Sequence, residues 1–169
     1  DNSGYIYVTG YSWGSGTGFD YATIKYNSAG DSEWVSRYNG SDNNGDYATS
    51  IAVDNSGNVY VTGESYDSTG GSNYDTIKYT STGDSDWVRR YSGPGNYSTD
   101  RANTIAVDAL GNVYVAGRSA GTQYDYATIK YNSSGVQQWV QRYDGPGNYY
   151  DEVFSLVLDN SDNVYVTGY

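Results

Sequence analysis

The 169-residue chain has no cysteine, no histidine and no methionine, only two prolines, and nine bases against twenty acids. Each scarcity removes a class of explanation. Without cysteine there is no disulfide framework, and the redox compartment stays open. Without histidine or cysteine, neither a Ser-His-Asp triad nor a Cys-His pair can be assembled within the chain. The usual zinc ligands are missing for the same reason. A net charge of −11 argues against nucleic acid, whose binding depends on basic contacts to phosphate. It argues equally against anionic membrane surfaces, and it suits solubility outside the cell. No run is apolar enough to span a bilayer, so membrane insertion is not expected. Neither a P-loop nor a dinucleotide fingerprint occurs.

What the chain does have is tyrosine and glycine, 22 of each. Short strands joined by Gly, Asn, Asp and Ser turns have this composition, and an aromatic content of 17% is too high for disorder. One phrase recurs. Asp54-Asn55-Ser56-Gly57-Asn58-Val59-Tyr60-Val61-Thr62-Gly63 returns in close variants that begin at Asp1, Asp108 and Asp159, in steps of 53, 54 and 51 residues. A fixed period of this size marks a repeat architecture.

Within one repeat, Thr49–Val53 reads as a strand A, Asp54–Asn58 as a turn and Val59–Thr62 as a strand B. A loop then runs to Asn73, Tyr74–Tyr79 forms strand C, Thr80–Gly83 turns, and Asp86–Tyr91 forms strand D. β-Branched and aromatic residues fill the strands, and no segment has helical period. Four antiparallel strands per unit of this length describe a β-propeller blade. The fold class is therefore all-β, an incomplete propeller of just over three blades. Residues 1–47 supply strands B-C-D, 48–101 and 102–152 each supply a full blade, and 153–169 supply A-B. The sequence opens in mid-repeat and reads as a mature piece or fragment of something longer.

Three sets of segments carry a family resemblance: Asp20–Asn27, Trp34–Tyr38 and Ile51–Gly63. They resemble the bacterial β-propeller repeat called SBBP, and the resemblance covers essentially the whole chain. It implies a propeller, often of seven blades, in large secreted or cell-surface bacterial proteins. It brings no general catalytic motif, so it bears on architecture and leaves function open.

A residue found in every repeat is expected to hold the repeat together. Lys25, Lys78 and Lys130 share a strand C position, and Arg37, Arg90 and Arg142 share a strand D position. They are read as ion pairs and aromatic stacking partners. Trp34, Trp87 and Trp139 are read as packing between blades. Asp54, Asp108 and Asp159 are read as acceptors for turn N–H groups.

Function is expected where strands A and C begin, with the D–A and B–C loops read as long and the A–B and C–D turns as short. There Asp46, Asp100 and Asp151 precede strand A, while Asp20 and Asp125 precede strand C with Asn73 at the matching place. Tyr66, Tyr97 and Tyr149 lie in these loops, and Trp13 sits in the loop after the first strand B without a counterpart elsewhere. Loops on a rigid scaffold usually carry binding, and Tyr with Ser, Gly and Asn suits adaptable recognition. These residues are the candidate ligand contacts, for a glycan or a protein surface. No cofactor is expected; calcium is the one candidate, at Asp42, Asn44 and Asp46. The Asp42–Asp46 stretch spaces its oxygens like the start of an EF-hand loop, but its Gly45 is out of place and Val53 stands where the closing Glu belongs. The expected function is a non-catalytic extracellular scaffold for binding or display. Two alternatives remain open: a ring or fibre assembled through blade edges, and a polysaccharide-active enzyme with paired carboxylates.

Overall fold

In a computed structural model, which describes residues 1–95, 99–147 and 149–169, the chain forms thirteen strands. Blade 1 contains β1 (Ile6–Gly14), β2 (Gly18–Tyr26) and β3 (Ser32–Tyr38). Blade 2 contains β4 (Asp46–Val53), β5 (Val59–Tyr66), β6 (Ser72–Tyr79) and β7 (Ser85–Tyr91). Blade 3 contains β8 (Arg101–Val107), β9 (Val113–Ala120), β10 (Tyr124–Tyr131) and β11 (Gln137–Tyr143), and blade 4 contains β12 (Val153–Leu158) and β13 (Val164–Gly168). Each blade is one antiparallel sheet in chain order, so strands B-C-D, A-B-C-D, A-B-C-D and A-B follow as the sequence predicts. Strands A of successive blades lie close while strands D splay apart, which puts strand A on the inner rim.

Two expectations need correction. Strand A starts earlier than the apolar run suggests: β4 begins at Asp46 and β8 at Arg101, because Asp46 and Tyr47 pair with Ser65 and Glu64, and Arg101 pairs with Arg118. The B–C connections are also not long. Strands B and C run on towards each other and leave three to five residues between them, no more than the five of each A–B and C–D turn. Only the D–A loops are longer, at seven to nine residues. β-Branched, Tyr and Ser residues beyond the apolar runs carry the ladder outwards, so hydrophobicity alone underestimates these strands.

One carboxylate organises each A–B turn. Asp108 accepts hydrogen bonds at Oδ1 from the N–H groups of Leu110 (2.9 Å) and Asn112 (2.8 Å), and at Oδ2 from Asn112 Nδ2 (2.7 Å) and Tyr114 OH (3.1 Å). Asp54 and Asp159 repeat the arrangement, with Tyr60 and Tyr165 in place of Tyr114. This is why Asp, Asn and Tyr recur together in the phrase. Partial burial pushes Asp108 up, but the bonds from Asn112, Leu110 and Tyr114 outweigh it and hold the carboxyl below its ordinary value. Bonds from the Asn163 side chain and backbone hold Asp159 down at about 2.

The blades interlock through unlike faces. Blade 2 offers Tyr60, Tyr74, Trp87 and Tyr91 to Ile105, Val113, Val115, Ile129 and Val140 of blade 3. Blade 1 offers Tyr7, Tyr21, Trp34 and Tyr38 to the equivalent aliphatic face of blade 2. Blade 3 does the same to Leu156, Leu158 and Val164 of blade 4. Within the first two interfaces the indole is the fixed point. Trp34 Nε1 donates to Ser81 O (3.1 Å), and Trp87 Nε1 to Ser133 O (3.3 Å), both carbonyls lying in the C–D turn of the next blade. On the inner rim, an extra residue bulges from strand A of blades 2 and 3 and reaches across. Thr49 Oγ1 donates to Ala102 O (2.7 Å), and Asn103 Nδ2 to Val153 O (2.8 Å).

The indole also explains a glycine. Gly30, Gly83 and Gly135 hold the same C–D turn position with φ between +77° and +90°, where a side chain is strained by about 1 kcal/mol. A Cβ on Gly83 would lie 2.8 Å from the Trp34 ring, and one on Gly135 2.9 Å from the Trp87 ring, whereas one on Gly30 would meet nothing within 4 Å. Gly30→Ala is therefore expected to cost only the φ term, and Gly83→Ala or Gly135→Ala about 1–3 kcal/mol more through overpacking. Equal losses in chemical denaturation would show that the indole does not set the turn. For the A–B turn, Asp108→Ala is expected to cost about 2 kcal/mol at pH 7. The folded carboxyl lies below its unfolded value, so its contribution is present above the ordinary aspartate range and lost as pH falls through the folded value. Wild-type and variant stabilities should therefore converge as pH drops towards 2; a gap that stays constant on acidification contradicts this role.

Candidate functional site

The expected acids are largely committed to the fold. Asp46 and Asp100 are fully buried at the start of strand A. Asp46 accepts from Gly40 N (2.7 Å), Asp100 from Gly93 N (2.6 Å) and Ala120 N (2.8 Å), and Asp151 from Gly145 N (2.9 Å). Each carboxylate thus ties down the D–A loop that precedes it. Burial pushes Asp46 up despite the bonds from Gly40 and Ser65.

Asp20 and Asp125 instead pair with the repeat-locked arginines, Arg37 at 2.8 Å and Arg142 at 2.6 Å. In blade 2 the matching residue is Asn73, yet Arg90 is not left without a carboxylate. Asp75, two residues further along the same strand face, binds Arg90 Nε and Nη2 at 2.8 Å each and accepts from Tyr38 OH of blade 1 at 2.6 Å. The acid has moved by one strand period and kept its partner, because residues i and i+2 share a face. The lysines of strand C lie over tyrosine rings, Lys25 over Tyr5, Lys78 over Tyr60 and Lys130 over Tyr114.

The calcium candidates are not gathered. Asp42 Oδ2 accepts from Ser41 Oγ and Ser68 N, Asn44 Nδ2 donates to Asp67 O, and Asp46 turns inward to Gly40. Among the described residues the carboxylates with metal-like spacing are Asp125, Asp144 and Asp151, within 4.8 Å of one another. Two of these already serve Arg142 and Gly145.

The aromatic candidates define a surface. Trp13 is not in a loop: it belongs to β1, opposite Phe19 of β2, and is 70% exposed. Its ring meets Phe19 edge-on at 5.2 Å, Phe19 lies 5.7 Å from Tyr47, and Tyr47 lies 6.1 Å from Tyr66. Tyr11 joins the same run at 4.8 Å from Tyr47. Five rings thus form a continuous strip across the D–A/B–C end of blades 1 and 2. Tyr149, which is exposed, stacks with Tyr150 at 5.2 Å, and Tyr150 with Tyr124 at 5.4 Å, making a second patch at the same end of blade 3. Tyr97 lies outside the described residues.

Two open recesses flank the strip. Tyr11, Tyr47, Thr49, Glu64, Tyr66 and Arg101 line one of about 470 Å³, and Tyr47 and Tyr66 with Asn44 and Asp67 line another of about 400 Å³. Burial and then the charge of Glu64 push the Tyr66 phenol up, so it remains a hydrogen-bond donor. Tyr11, Phe19, Tyr47, Glu64 and Arg101 were not among the expected contacts. The signal that could have found them is variation at fixed repeat positions. Tyr47, Arg101 and Glu152 follow the locked Asp46, Asp100 and Asp151, while Tyr11, Glu64, Arg118 and Tyr169 follow the locked Gly10, Gly63, Gly117 and Gly168.

Residues 33–68 and 86–125 match the SBBP beta-propeller repeat family. None of the curated proteins matches the sequence. Among solved structures, the periplasmic gluconolactonase PpgL of Pseudomonas aeruginosa is similar, with a TM-score of 0.54 and 14% identity over 96% of this chain. The chain spans 46% of that structure. At this identity the likeness shows the fold alone, which is a β-propeller.

The shifted acid in blade 2 can be tested directly. Asp75→Ala is expected to destabilise by about 3 kcal/mol, since it strands Arg90 and removes the acceptor of Tyr38. Adding Asn73→Asp, the arrangement of blades 1 and 3, is expected to recover part of the loss in thermal denaturation. No recovery would mean that the two positions are not equivalent.

Proposed function

We propose that this chain, which matches the SBBP beta-propeller repeat family over residues 33–68 and 86–125, is a non-catalytic extracellular scaffold that binds glycan on its D–A/B–C face. The observation that carries the reading is the strip Trp13–Phe19–Tyr47–Tyr66 with Tyr11 beside it, all at one end of two rigid blades. Exposed rings in a row present flat apolar area to sugar ring faces, and the surrounding Asn, Ser, Asp and Gly offer hydroxyl partners at little entropic cost. A soluble recognition surface of this kind needs only a stiff support, and the interlocked blades provide one. The commitment of Asp20, Asp46, Asp75, Asp100 and Asp125 to arginines and loop backbone favours support over carboxylate catalysis.

A second reading has its own observation. Ile6, Val8 and Val35 expose the aliphatic face of blade 1, and Tyr143 and Tyr165 expose the aromatic face at the other end. These are the two halves of the interface that joins the blades internally, so a further blade, in cis or from a second copy, fits each of them. Assembly through blade edges then accompanies binding.

Glycan binding is tested by affinity electrophoresis and calorimetry against neutral and acidic oligosaccharides. Trp13→Ala and Tyr47→Ala are each expected to weaken binding about tenfold while leaving the unfolding transition in place. Binding that survives both changes contradicts this site, and capture of a protein ligand by the same strip would replace the glycan with a protein partner. For assembly, light scattering over a range of concentrations is expected to show mass rising with concentration, and Val8→Asp is expected to abolish the rise. A constant monomer mass opposes the second reading.

A further inference from the structure

We infer that the recess between blades 1, 2 and 3 selects an acidic sugar, a uronate, through Arg101. This inference rests on the glycan reading above and adds the class of sugar. Eight of the nine bases have a described partner. Arg37, Lys78, Arg90, Arg118 and Arg142 meet carboxylates, Lys25 and Lys130 lie over tyrosine rings, and Arg89 donates to the carbonyls of Gly135 and Ser134. Arg101 differs. Among the described residues its guanidinium has no ion pair and no side-chain hydrogen bond; its Nε is buried without an acceptor, as is that of Arg118, but Arg118 has Glu152 for its other nitrogens.

Its position makes this costly. Arg101 sits directly opposite Arg118 in the β8–β9 ladder, and like charges facing across a sheet destabilise it. Arg118 is relieved by Glu152 at 3.5 Å and by the Tyr124 ring at 4.9 Å, while Arg101 is not relieved. In a chain of net charge −11, a basic residue with neither a carboxylate, a carbonyl nor an aromatic ring as partner is an exception among the described residues. A buried N–H without a partner costs free energy that a bound anion returns. The same place in the repeat carries Tyr47 and Glu152 in the neighbouring blades, so blade construction does not require arginine there.

The recess shows which anion fits. Tyr11 and Tyr47 supply ring faces for a pyranose. The Glu64 carboxylate holds Ser72 Oγ at 2.7 Å through Oε1 and bonds the Tyr66 phenol, so the pair forms a polar wall of the recess that suits sugar hydroxyls. A carboxylate matches the guanidinium fork two bonds to two. A monoanion also suffers less than a phosphate dianion from Glu64 and the acidic surroundings. Hydroxyls, a flat ring and one carboxylate together describe a uronic acid residue.

The test is calorimetric titration of the full chain with tetragalacturonate and with the neutral cellotetraose. The wild type is expected to bind the uronate at least tenfold more tightly, and added salt should narrow the gap. Arg101→Gln is expected to remove the preference, and Arg101→Lys to keep part of it. The thermal midpoint of Arg101→Gln should not fall, since relief of the facing charges offsets any lost packing. Unchanged uronate affinity in Arg101→Gln, or equal affinity of the wild type for both probes, overturns the inference. If cellotetraose binds through Trp13 with no acidic preference, the glycan reading stands and this inference falls. If neither probe binds, both fall.

Discussion

An indole N–H seated on a carbonyl of the next blade is the contact on which the rest of this structure depends. A four-stranded sheet this small has too little apolar area to stand alone, so its stability comes from its neighbour. Aromatic-on-aliphatic packing supplies area but little direction. The bonds from Trp34 to Ser81 O and from Trp87 to Ser133 O supply the register. Once the indole is placed, the turn above it must be glycine, the tyrosines beside it find the aliphatic face, and the inner-rim bulges fall opposite the next strand A. The same geometry fixes the angle between blades and hence the surface presented at the D–A/B–C end.

That surface is built from the positions the lock leaves alone. Residues that recur, such as Asp46 and Asp100 at strand A or Arg37 and Arg142 at strand D, are consumed by loop closure and ion pairing. Residues one step away from them are free to differ, and they do: Tyr47 against Arg101, Tyr11 against Glu64 and Arg118. Their variety gives three nearly identical blades three different chemistries at one end. The proposed association through the exposed faces and the proposed recognition at the loop end are compatible, because they use different sides of the blades.

Most of the architecture is legible in the sequence. The recurrence of Asp54-Asn55-Ser56-Gly57-Asn58 and its relatives gives the turn, and the β-branched and aromatic runs give all thirteen strands in order. The roles of the locked lysines, arginines and tryptophans also follow from their repetition. Strand ends did not follow. Trp13 and Tyr66 looked like loop residues because the apolar run stops before them, while cross-strand pairing with Phe19 and Ser72 carries them into β1 and β5. The candidate site was half visible. The repeat places the aromatic and acidic candidates at one end of the blades, but the spacing does not say which acids are used up by loop backbone and arginines. Whether an aspartate faces solvent or folds back onto a glycine six or seven residues earlier is a tertiary fact that spacing does not encode. The replacement of Asn73 by Asp75 as the partner of Arg90 is a second such fact, since only the shared strand face reveals it.

Hydrogen exchange at the three repeat-locked indole N–H groups, resolved by NMR, tests the central claim most directly. Trp34 and Trp87 donate into the next blade, whereas among the described residues Trp139 has no acceptor. The account expects strong protection at Trp34 and Trp87 and fast exchange at Trp139 in the monomer. Uniform exchange across the three would contradict the view that the indole-to-turn bond holds successive blades together.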